Sequence, residues 1–135
     1  MEAIEIFEFL SNLPWWFWVI FVFTMMVLGS DRSIWEYEVK FLFQEGVGKG
    51  EIEFENKKKK GMYVECDFDL EEQYHNKALE IFLAGKNVIC VPAEENMGGY
   101  IRFEKPVSIE EPSVGDSVVV KIDNIEIFTG ILKLD

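Results

Sequence analysis

Histidine is almost missing from this chain: His75 is the only one among 135 residues. That excludes a multi-histidine metal centre and the HExxH helix of zinc peptidases. A Ser-His-Asp triad has no alternative base, and no serine stands in a GxSxG elbow. Cysteine is scarce too. Cys66 and Cys90 match no CxxC pattern and are too few for a disulfide scaffold. Bases are outnumbered, 13 against 25 acids, for a net charge of −12. A chain this acidic is repelled by phosphate backbones, which argues against nucleic acid as a partner. Phosphate loops are also absent, because Gly46-Val47-Gly48-Lys49-Gly50 has no helix signal after it.

The first 30 residues lack any Lys or Arg, and from residue 9 to residue 30 there is no charge at all. An uncharged helix over those positions would be about 33 Å long, enough for a hydrocarbon layer of about 30 Å. The spacing therefore predicts one N-terminal transmembrane helix, residues 1–30 being an amphipathic piece followed by the anchor. Trp15, Trp16, Phe17 and Trp18 cluster near its start, where indoles favour the headgroup boundary, and Pro14 suits a first turn. A cleaved signal peptide would begin with basic residues, which this leader lacks. With only Arg32 and Lys40 following the run, the side on which the C-terminal domain lies is left open.

Residues 31–135 change period. Trp35, Tyr37, Val39 and Phe41 alternate with Glu36, Glu38 and Lys40, and Val64, Cys66, Phe68 and Leu70 with Glu65, Asp67 and Asp69. Alternation of this kind marks half-buried strands. About eight short strands follow one another, with turn chemistry at residues 46–50, 57–61, 84–86 and 123–124. The expectation is an all-β antiparallel Greek-key sandwich, with residues 107–115 as the crossover. Both Cys66 and Cys90 are expected to face its core. An OB-like or barrel-sandwich β-barrel is the alternative.

No pair of groups for catalysis stands out. His75 lies in a polar connection, and Cys66 has no basic neighbour to activate it. The acidic residues match no EF-hand spacing, though a carboxylate site for calcium is a second possibility. No cofactor or metal ligand is assigned. Lys57, Lys58, Lys59 and Lys60 form a wet hairpin tip that could meet anionic headgroups, at about 1 kcal/mol per lysine.

The C-terminal part carries Leu79 to Lys86, then Gly98-Gly99-Tyr100-Ile101-Arg102-Phe103, then Gly115-Asp116 before Val118-Val119-Val120, and finally Gly130 within the last apolar run. This order resembles the closing strands of CHRD and Cu/Zn superoxide dismutase-like Greek-key sandwiches. The resemblance implies their fold without their activity, since the dismutase ligands are mostly histidines. Taken together, the residues point to a single-pass membrane protein and not to an enzyme. Its partners would be the lipid bilayer and another protein, or a second copy meeting it through edge strands. A pilin-like filament subunit is the other reading.

Overall fold

The computed structural model describes residue 12, residues 14–29 and residues 32–135. The chain divides into two units after Asp31. In the first, α1 covers Trp15–Gly29 with no charged residue on any side. It starts only at Trp15 because Pro14, lacking an N–H, sits just before the first turn. The Pro14 carbonyl accepts from the Phe17 N–H at 3.0 Å. Trp15, Trp16, Phe17 and Trp18 are exposed and stand in the first turn.

The described helix does not support the expected transmembrane helix. The 15 residues of α1 make about 22 Å of helix, short of a bilayer core of about 30 Å. Among the described residues no helix is long and apolar enough to cross a membrane. The amphipathic piece expected over residues 2–10 lies outside the described residues.

The second unit is an antiparallel two-sheet fold of nine strands. They are β1 (Ser33–Gln44), β2 (Gly48–Lys57), β3 (Gly61–Leu70), β4 (Leu79–Leu83), β5 (Lys86–Val91), β6 (Tyr100–Pro106), β7 (Ser117–Ile122), β8 (Ile125–Ile131) and β9 (Lys133–Leu134). One sheet runs β6-β3-β2-β1-β9 and the other β5-β4-β7-β8. The non-sequential neighbours β3–β6 and β4–β7 arise because the chain changes sheet after β3, β5, β6 and β8. The third change uses residues 107–116, where the sequence placed its crossover. The ninth strand is new: the run from Ile125 to Leu134 breaks at buried Leu132, and its last two residues join the other sheet beside Tyr37 and Glu38.

One core lies between the sheets. Ile52, Phe54, Val64 and Phe68 from one side meet Leu79, Ile81, Val118 and Val120 from the other. Phe41, Phe68 and Phe128 stack across the gap, with Phe128 4.9 Å from Phe41 and 5.9 Å from Phe68. Contact this close needs Gly130. A Cβ there would come within 2.6 Å of Val39 Cγ2 and 3.0 Å of the Phe41 ring, so β8 can lie against β1 only without a side chain.

The two short hairpins follow their turn residues. Ala84 and Gly85 have φ of 50° and 83°, Asp123 and Asn124 53° and 63°, the left-handed pairs that two-residue hairpins require. Bulges then alter which side chains face inward. The pairs Ile81↔Ile89 and Phe82↔Asn87 leave Val88 extra, so Val91 points into the core and Cys90 outward. The expectation that Cys90 is buried is thereby corrected, while Cys66 is buried as expected.

Candidate functional site

The outer face of the five-stranded sheet collects most of the polar chemistry. Pairing sets its residues in rows across the strands. Lys133, Glu38, Glu53, Glu65 and Glu104 stand directly opposite one another on β9, β1, β2, β3 and β6. Four carboxylates in register oppose the sheet, since like charges facing each other repel. The strain falls on Glu53. Burial first, then Asp135, Glu65 and Glu51, push its carboxyl up to about 7. Beside this row run Lys40, Glu51, Asp67 and Arg102, where Arg102 and Asp67 form a loose ion pair at 4.0 Å.

Glu38, Glu51 and Glu53 each place one carboxylate oxygen within 4.8 Å of the others. Calcium takes six to eight oxygens, and three carboxylates on an open sheet, one holding its proton near neutrality, supply too few. Exposed acids also gather without an ion, so the cluster lends the calcium alternative no support.

Toward the start of β1 the next row holds a different arrangement. Glu36 on β1 faces Glu55 on β2, and Tyr63 on β3 faces Glu55 from the other side. Although it is on the outer face, Glu55 is only 7% exposed. Its Oε1 accepts from Ser33 Oγ at 2.6 Å and lies 3.7 Å from Lys57 Nζ, and the Tyr63 hydroxyl donates to Oε2. Burial by itself raises this carboxyl. The hydrogen bonds from Glu36, Ser33 and Tyr63 and the Lys57 charge outweigh it and hold Glu55 at about 2. Tyr63 is pushed up to about 12 by burial and by its bond to Glu55. Its ring is covered by Lys60, 4.3 Å from the centroid, which also pairs with Glu104.

The lysine tip therefore is not only a wet turn. Lys57 and Lys60 are drawn back onto Glu55, Glu104 and the Tyr63 ring, while Lys58 and Lys59 are exposed at the tip. At the far end of β1, a depression of about 420 Å³ is lined by Lys40, Leu42, Phe43, Asp69 and Tyr100. Leu42 and Phe43 are exposed there, past a register shift between Phe41 and Gln44.

The candidate nucleophiles and bases lie far from any shared site. Burial pushes the Cys66 thiol up, which disfavours the reactive thiolate. Cys66 is on β3 and Cys90 on β5, in opposite sheets, and both are free. His75 is half-buried, with Nε2 2.8 Å from the Leu70 carbonyl. Gly99 lies against its ring at φ +76°, and a Cβ there would sit 2.1 Å from Nε2. Asn96, fully buried, donates to the Tyr74 and Lys77 carbonyls at 2.7 and 3.0 Å. His75 and Asn96 thus tie together the connections on either side of the β4–β5 hairpin, which is a structural task.

Residues from three strands (Ser33 and Glu36, Glu55, Tyr63) come together through strand register. No local spacing in the sequence announced them. No family model matches the chain, and no curated protein or solved structure does either.

Proposed function

We propose that this chain is a membrane-associated β-sandwich protein that works by binding and not by catalysis. The observation that carries the reading is α1: 15 residues without a charge, carrying exposed Trp15, Trp16, Phe17 and Trp18. Water is a poor solvent for such a helix, since burying each large apolar side chain is worth about 1.5–3 kcal/mol. Lipid accepts both its apolar sides and its indoles. Association needs only that α1 enters the layer, and its described length does not call for crossing.

A tether confines the sandwich to a thin zone beside the lipid, where even a weak surface binds usefully. The edge strands differ in how well they resist pairing. Edge strand β6 carries Arg102, Glu104, Lys105 and Pro106, and β5 carries Lys86 and a bulge, features that discourage strand addition. The β9 edge is only two residues long, so the β8 edge, with exposed Ile125 and Ile131 and the single charge Glu126, is the one best suited to a protein partner or a second copy. The Lys57–Lys60 tip is the part of the sandwich suited to anionic headgroups. The closing-strand resemblance to dismutase-like Greek keys fits Gly115–Asp116 before β7 and Gly130 within β8, and concerns fold alone.

Flotation of the full chain on liposomes tests the reading. It is expected to rise with the vesicles, and Ile20→Glu with Phe23→Glu is expected to leave it in the buffer. Equal partitioning of both chains would remove α1 as the anchor. Raising salt is expected to weaken flotation on anionic vesicles more than on neutral ones, and Lys58→Glu with Lys59→Glu to abolish that difference.

A further inference from the structure

The hydroxyl of Ser33 lies 2.6 Å from Glu55 Oε1 and 2.7 Å from Glu36 Oε1. A serine hydroxyl has one proton and cannot donate to both. Were both carboxylates ionised, one of these contacts would set lone pairs against lone pairs at hydrogen-bond distance. A further proton is required. Glu55 already accepts from Tyr63 and Ser33 and faces the Lys57 ammonium, so its negative charge is the better compensated of the two. The extra proton therefore sits on Glu36, which donates while Glu55 stays ionised.

We propose that Glu36 and Glu55 share one proton as a latch, which holds the first residues of β1 to β2 and lets them go when that proton is lost. The backbone supports the latch. Ser33 pairs with Lys57 and Trp35 with Asn56, so Ile34 is an extra residue. That bulge turns Ser33 onto the same face as Glu36, which the strand's alternation alone would not do. Arg32 is held as well, its carbonyl accepting from the Lys58 N–H at 2.8 Å. These are the sandwich residues nearest in sequence to α1, so the latch decides where the folded unit begins.

The surrounding charges set its direction. Lys57 and Tyr63 favour ionised Glu55, and Lys60 lies over the Tyr63 ring. Asp135, beside β9, and Glu55 itself disfavour a second negative charge on Glu36; Glu38 and Glu53 in the next row add carboxylates on the same side. The nearness of Glu55 raises the Glu36 carboxyl most, and the Ser33 hydroxyl works against it. Sign follows from linkage. A folded state that holds a proton more tightly than the unfolded chain loses stability as pH rises through the folded titration. Here the loss falls on residues 32–36, where the Ser33 bridge between Glu36 and Glu55 does not survive two negative charges.

Hydrogen–deuterium exchange of the full chain, corrected for intrinsic rates, reads the latch in the peptide covering residues 32–37. Exchange there is expected to rise between about pH 4.5 and about pH 8.5, as the shared proton is lost. A peptide covering residues 117–122 is expected to stay level. Glu36→Gln keeps a donor that cannot be lost, and should hold exchange low throughout; Glu36→Ala should raise it at every pH. A level wild-type profile, or an unchanged rise in Glu36→Gln, overturns the proposal. A carbon-13 titration of wild-type carboxyls decides independently of how the variants fold: one group of the pair should titrate above the ordinary range and the other below it. Two ordinary midpoints would refute the shared proton.

Discussion

Glu53→Gln measures the cost of holding a half-buried carboxylate among its acidic neighbours. In the folded chain Glu53 faces Glu38 and Glu65 across its two neighbours, and its carboxyl moves from 4.5 to about 7. A group raised in this way contributes stability that is complete below its unfolded value and is lost as pH climbs through about 7. At ~1.4 kcal/mol per unit, the full displacement would amount to ~3 kcal/mol. The face is largely open to water, and screening reduces that figure to about 1 kcal/mol. Urea unfolding at a series of pH values measures it. The wild-type chain should lose about 1 kcal/mol between about pH 5 and about pH 8, while Glu53→Gln keeps most of that and is the more stable chain at the alkaline end. Adding salt should flatten the wild-type slope, because it screens exposed charges. If the Glu53→Gln curve follows the wild-type one, or wild-type stability climbs with pH, the row carries no such strain.

Three further perturbations test the core and the turns. Gly130→Val should destabilise by about 3 kcal/mol or prevent folding, since the new side chain has to displace Val39 and Phe41; thermal unfolding reads this. Ala84→Asn should stabilise by about 0.5–1 kcal/mol, because Ala84 holds φ of 50°, which asparagine tolerates better; the urea midpoint reads this. In the native chain a maleimide should label Cys90 quickly and spare Cys66 until the sandwich unfolds, which intact mass follows by counting adducts.

Much of the sandwich could be read from alternation, because a strand with one wet face must alternate. Phe54, Phe68 and Val120 fell inside, and Asp123-Asn124 formed its turn, as their residue types dictate. The misreadings have separate physical causes. A bulge reverses the in-out order beyond it without leaving any mark in composition, which is why Cys90 faces outward and why Ile127 and Phe128 are both buried. Similarly, Leu132 continues the apolar run while moving the chain to the other sheet, so one expected strand became two. The uncharged run extends over residues 9–30, whereas α1 covers only Trp15–Gly29. The Glu36–Glu55 pair could not be found from sequence at all, since it depends on register between strands.

The short strand β9 lies beside β1, although nearly the whole sandwich separates them along the chain. During synthesis β1 is made first and waits for its last neighbour until about a hundred more residues have been added. Until then Tyr37 and the end of the Phe41–Phe128 stack lack their partners, and the growing chain presents an incomplete edge. Pairings so distant in sequence fold slowly. A chain stopped before residue 128 would therefore lack both the β9 edge of its first sheet and the Phe128 ring that stacks on Phe41.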